Sequence, residues 1–112
     1  MQATVRPAVP QFAGRVFVLT DGTTASAAEP LADVLQATGR ATIVGATTAG
    51  AVLTSEYLDL PGGWRLQLPT GTYVNAAGVE LEGRGVVPDV AVPSATALDY
   101  VLSLPDSPAV GG

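Results

Sequence analysis

The spacing of residues 15–45 constrains the fold more than any other feature of this chain. Arg15–Thr20 (RVFVLT) and Ala41–Gly45 (ATIVG) are short apolar runs rich in β-branched residues, which predicts two buried strands. Between them, Asp21-Gly22-Thr23-Thr24 is turn chemistry. Ser26–Thr38 then carries Leu31, Val34 and Leu35 at helical spacing among small alanines, and Gly39 stands where a helix C-cap glycine belongs. Strand, helix and strand at this spacing predict a βαβ unit with its two strands parallel, and hence an α/β fold.

The second half has a different texture. Val52–Leu60 and Trp64–Leu68 flank Pro61-Gly62-Gly63, which predicts a β-hairpin. Gly71–Val74 can continue as strand, Asn75–Gly78 reads as a turn, and Val79–Glu82 is short and extended. Gly83–Val92 is punctuated by Gly and Pro, so it is extended as well. Ser94–Leu104 places Leu98, Val101 and Leu102 behind a Ser N-cap, predicting a C-terminal helix. The expected organisation is a leading linker at 1–14, one structured region at 15–104 and a flexible tail at 105–112, rich in Pro, Gly and Ser.

Composition narrows the function. The 112 residues suffice for one small domain. A net charge of −5, with only five scattered cations (all Arg), supplies no basic patch for nucleic acid or an anionic membrane surface. No apolar run approaches the roughly 20 residues of a bilayer span. There is no Cys, His or Lys. Disulfides and thiolate or imidazole metal sites are therefore excluded, and no carboxylate cluster has metal-ligand spacing.

Ser26 is the candidate functional residue. Ser26-Ala27-Ala28-Glu29 fits a capping box, with Ser at the N-cap and Glu at N3. The same geometry suits a nucleophile. A hydroxyl at a helix N-terminus lies beside free backbone N–H groups and the positive end of the helix dipole, and those groups can stabilise an oxyanion. The Ala27 N–H is the natural donor, and the surrounding alanines allow a polypeptide to approach. The two readings are compatible. Gly45–Gly50 reads as a turn, and no Gly-Lys-Ser/Thr follows to make it a phosphate loop. Glu82 and Asp89 read first as a solvated residue and a turn residue, and alternatively as carboxylates for acid–base work.

VFVLTDGTTASAAE, GRATIVGATTAGA and LEGRGVVPD, in this order, resemble the C-terminal part of a tail-specific, S41-type serine peptidase domain. The resemblance runs from about Gly14 to Val92. It implies a crotonase/ClpP-like catalytic fold of which this chain holds the C-terminal portion, so apolar edges are left for a partner segment to cover. It implies Ser26 as nucleophile and the Ala27 N–H as an oxyanion donor. Processing peptidases of the family use a Ser–Lys dyad, with the lysine directly after the Gly-rich turn. Ala51 stands there, so that mechanism is excluded for this chain. The branch similar to tricorn and the retinoid-binding repeats uses an upstream histidine supported by a downstream glutamate, for which Glu82 is the candidate. The resemblance calls for no cofactor. Its implied partners are a polypeptide substrate and an upstream segment of the same domain supplying the base, with homo-oligomer formation left open. It favours a bacterial extracytoplasmic setting over the cytosolic one of tricorn-like members. The contrasting reading is a non-catalytic module that binds peptide or a hydrophobic ligand.

Overall fold

The computed structural model describes residues 6–105. Two layers of structure follow from the sequence pattern. Strand β1 (Phe17–Thr20), helix α1 (Ala28–Ala37) and strand β2 (Thr42–Gly45) form the expected βαβ unit, with β1 and β2 parallel and Phe17 in register with Thr42. The hairpin is β3 (Thr54–Leu60) paired antiparallel with β4 (Trp64–Gly71). A two-residue strand, β5 (Val90–Ala91), joins the other edge of β2 in parallel, giving the sheet order β1-β2-β5. Helix α2 (Ser94–Leu102) closes the chain and packs on β1 and β2, while α1 packs on β2.

The core is small. Ala32, Ile43, Val52, Leu81 and Val86 bury against one another, with Val18 and Tyr73 packed beside them. Ile43 and Val44 of the central strand are fully buried, because successive side chains point to opposite faces of the sheet and α1 and α2 both pack against β2. Gly45 ends that strand at φ +133°, where an added Cβ would run into the carbonyl oxygen of Thr20. Only glycine allows β1 and the end of β2 to lie this close.

Several expectations need correction. The helical stripe of Leu31, Val34 and Leu35 is not the buried face of α1: Leu31 is 62% exposed, Val34 is exposed, and the side that packs inward carries Glu29, Ala32 and Asp33. Leu98 and Leu102 likewise face outward on α2, where Ala97 is the buried residue. Leu19 leaves β1 open on one face. Small residues face the sheet because the helices pack closely on it, so the large apolar side chains are left uncovered. The hairpin is exposed along nearly its whole length, with Tyr57, Leu58, Leu60, Trp64, Leu66 and Leu68 open to solvent.

Neither predicted serine cap forms. The N-cap of α1 is Ala27 and that of α2 is Pro93, and no side chain caps either helix. Gly39 does adopt the left-handed conformation just past α1, at φ +70°. Strand pairing stops at Gly71, and Val74 makes only an isolated bridge to Glu80. Residues 1–5 of the expected linker and all of the expected tail except Pro105 lie outside the described residues.

Candidate active site

Ser26 lies on the turn from β1 into α1, and the turn is built by local side chains. Asp21 Oδ1 accepts the N–H of Thr23 at 2.7 Å, the Thr23 hydroxyl at 2.5 Å and the N–H of Thr24 at 3.1 Å. The Thr23 hydroxyl and N–H together hold the Asp21 carboxyl below the usual carboxylate range against a small opposing effect of burial, with the Thr24 N–H adding to them. The chain then reaches Ser26 at φ +61°, the only non-glycine residue in the left-handed region among the described residues. That conformation costs a non-glycine residue about 1–2 kcal/mol, so tertiary bonds must hold it. The Ser26 N–H donates to the Ala51 carbonyl at 2.9 Å and to Glu29 Oε2 at 3.1 Å, and the Ser26 carbonyl accepts the Glu29 N–H at 3.0 Å. The serine itself is exposed. Ala27, next in sequence, is also exposed and begins the helix at φ −60°, ψ −22°.

Glu29 is the residue that sequence reasoning undervalued. It was legible only as the second member of a capping box. Half of that box exists, since its carboxylate reaches the Ser26 N–H, but the carboxylate does far more. It is 0% exposed. Oε1 accepts the Thr48 hydroxyl and the Gly50 N–H, each at 2.6 Å, and Oε2 accepts the Ala51 N–H at 2.9 Å. Burial works to raise its pKa. The hydrogen bonds from Thr48, Gly50, Ala51 and Ser26 outweigh burial and hold the pKa below the ordinary value, so the group is a carboxylate.

Through Glu29 the turn at 45–51 becomes an ordered part of the site rather than a loose connection. Ala49 N–H donates to the Thr24 carbonyl at 2.9 Å, so the two loops are paired backbone to backbone. Thr48 extends the network: its hydroxyl accepts the Val86 N–H at 2.7 Å while donating to Glu29. Gly83 N–H donates to the Gly50 carbonyl at 2.8 Å, which docks the segment after Leu81 on the same loop.

Glu82 is half-buried and accepts the Val52 N–H at 2.7 Å. The structure therefore brings Ser26, Ala51 and Glu82 to one short stretch of backbone: Ala51 takes the Ser26 N–H, and the next residue donates to Glu82. This corrects the reading of Glu82 as a solvated side chain. Asp89, by contrast, serves the sheet. Its Oδ2 accepts the Ile43 N–H at 2.8 Å, and its own N–H donates to the Ile43 carbonyl at 2.9 Å. An open cavity of about 420 Å³ lies at the C-terminal ends of β2 and β5, between Gly45–Thr47 and Val87, Pro88 and Ala91–Pro93. Among the described residues no group of three His, Cys, Asp or Glu is placed to hold a metal ion, and no helix is long and apolar enough to cross a membrane.

The exposed Ser26 thus sits on a strained strand-to-helix turn that is clamped to a Gly-rich loop. The chain belongs to peptidase family S41, whose family model matches residues 2–92. It is 35% identical over 77 residues to a carboxy-terminal-processing protease of Bartonella bacilliformis, covering 69% of this chain and 18% of that protein. It is 37% identical over 76 residues to a carboxyl-terminal-processing protease of Picosynechococcus sp., covering 68% and 18%. Among solved structures, it is similar to mature CPAF in complex with lactacystin, with a TM-score of 0.74 and 28% identity over 86% of this chain and 21% of that one. The photosystem II D1 C-terminal processing protease matches with a TM-score of 0.67 and 31% identity over 80% and 25%. The chain thus spans about a fifth of the length of the curated relatives it matches.

Proposed function

We propose that this chain is the nucleophile-bearing portion of a serine-type endopeptidase that cleaves unfolded or C-terminally exposed polypeptides through an acyl-enzyme. The observation that carries this reading is the exposed Ser26 held at φ +61° by the Ala51 carbonyl and the Glu29 carboxylate. Strain of this kind, held by tertiary hydrogen bonds, is expected at functional sites. The relatives named as C-terminal processing proteases support the substrate class.

In the mechanism proposed, Ser26 Oγ attacks the scissile carbonyl carbon and its proton passes to a base. The chain has no His and no Lys, so the base comes from another segment of the protein. The oxyanion accepts the Ala27 N–H at the positive end of α1. The base then protonates the leaving amine, and water activated by the same base hydrolyses the ester, regenerating Ser26. Glu82 is the positioning residue for that base, and the crotonase/ClpP-like arrangement is the frame proposed for the whole domain. An extracytoplasmic location in a bacterial cell belongs to the same proposal and is checked by cell fractionation.

The test is hydrolysis of an unstructured fluorogenic protein by the full-length protein beside its Ser26→Ala variant. Activity in the parent and loss in the variant are expected, and intact hydrolysis by Ser26→Ala would sink the assignment. A second reading, a non-catalytic module binding peptide or a hydrophobic ligand, is favoured by the absence of an internal base and by the open apolar cavity beside β5. Inactivity of the full-length parent, together with saturable peptide binding, would select it.

A further inference from the structure

One turn along α1 from Glu29, a second cavity of about 200 Å³ lies between the helix and the Tyr73–Ala77 segment. Three polar groups converge there. Asp33 as a residue is only 9% exposed. The Tyr73 hydroxyl donates to its Oδ2 at 3.3 Å, and the Asn75 carboxamide donates to its Oδ1 at 3.4 Å. Val34, Ala37, Ala76 and Ala77 complete a mostly apolar wall, which also includes Thr38, its hydroxyl donating to the Val34 carbonyl. Asn75 is held in place by its own turn, since its Oδ1 accepts the N–H groups of Ala77 and Val79, both at 3.0 Å.

This arrangement is unbalanced in charge. A buried carboxylate is costly unless a cation or strong donors meet it, and Asp33 has two long contacts from neutral donors. Each of its oxygens keeps further lone-pair capacity. Among the described residues no cation reaches it. The one ion pair among them is Arg65 with Asp59, while Arg15 and Arg40 point their guanidinium groups at backbone carbonyls. Glu29 on the same helix shows the contrast, for its carboxylate is fully supplied with short bonds. The cavity is also the size of one side chain rather than of an extended ligand.

We propose that this cavity is a binding site for a single alkylguanidinium group, with Asp33 as its counter-ion and the Tyr73 oxygen as a further acceptor. A planar guanidinium presents parallel donors that match both oxygens of one carboxylate, and its alkyl stem suits the wall of Val34 and Ala37. The group can belong to an arginine of another segment of the same polypeptide or to a separate peptide. The site is independent of whether Ser26 is a nucleophile. It does not adjoin Glu82 through any contact described above.

A crystal structure of the full-length protein and a titration with n-butylguanidinium test it together. An arginine of the protein itself placing a guanidinium nitrogen within about 4 Å of Asp33 supports the proposal with an internal source. If the cavity is open, saturable shifts of the Asn75 side-chain amide resonances on adding n-butylguanidinium support an external source. That binding is expected to weaken about tenfold or more in Asp33→Asn, to weaken by a smaller factor in Tyr73→Phe, which loses one neutral acceptor and keeps the counter-ion, and to be absent with neutral n-butylurea. An open cavity without saturable shifts, equal binding of n-butylurea, unchanged affinity in Asp33→Asn, or coverage by an uncharged segment each overturns it.

Discussion

The carboxylate of Glu29 accepts the backbone N–H of Ser26 at 3.1 Å while the same side chain holds Thr48, Gly50 and Ala51. One buried side chain thereby ties the first turn of α1 to the loop after β2. Loss of the carboxylate takes an acceptor from four donors, of which the buried Thr48 hydroxyl and Gly50 N–H are shut off from water while the Ser26 N–H keeps the Ala51 carbonyl. Glu29→Ala is expected to destabilise the full-length protein by on the order of 3 kcal/mol or more. Glu29→Gln, which keeps one oxygen but points an NH₂ at other donors, is expected to cost roughly 2 kcal/mol. Urea denaturation measures both, and a change within about 0.5 kcal/mol for Glu29→Ala would contradict the clamp.

The same carboxylate sets a pH dependence. Its pKa is depressed in the folded protein below the ordinary 4.5. A depressed carboxylate contributes stability that is fully present above the unfolded-state value and is lost as pH falls through the folded one. Stability is therefore expected to be level on this account above about pH 5 and to decline below about pH 4.5. Glu29→Gln is expected to show a shallower acid decline than the parent when melting temperatures are compared between about pH 3 and about pH 6, values chosen to bracket that window. Parallel curves would remove Glu29 from the account.

Ser26 at φ +61° predicts an unusual ranking of variants. Glycine occupies this region without the Cβ clash that burdens Ser and Ala. Ser26→Gly is expected to be more stable than Ser26→Ala by about 1 kcal/mol, although neither retains a hydroxyl. Thermal melts of the two variants provide the comparison, and an Ala variant as stable as the Gly variant would mean that the turn relaxes out of the left-handed region.

Glu82 can be separated from a purely structural role by a conservative change. The carboxamide introduced by Glu82→Gln keeps an oxygen for the Val52 N–H, so this variant is expected to change stability by less than about 1 kcal/mol. If Glu82 orients the base as proposed, kcat is expected to fall by roughly a hundredfold or more, with KM little changed and the pH–rate profile displaced. Steady-state kinetics of the full-length protein decide it. A fall in stability equal to the fall in activity would assign Glu82 to the scaffold alone.

Much of the fold is legible in the residues because it rests on local chemistry. RVFVLT and ATIVG form strands because their runs are short, apolar and β-branched, and Gly39 stops α1 because only glycine takes the left-handed turn there without strain. The hairpin follows from Pro61-Gly62-Gly63 between two extended runs. Ser26 stood out as a hydroxyl at a helix start.

The roles of Glu29, Asp33 and Glu82, and the outward-facing leucines, depended on contacts between residues distant in sequence. S-x-x-E reads as a capping box because three residues of separation place the carboxylate near the Ser26 N–H, and that bond exists. Periodicity carried no sign that the same carboxylate is buried under Thr48, Gly50 and Ala51, which lie 19, 21 and 22 residues away. Local sterics and hydrophobic spacing were enough to choose which segments become strands and helices. The choice of which helix face turns inward, and of which carboxylates lose their water, came from packing across the sheet, because burial depends on what approaches in space rather than on what lies nearby in the chain.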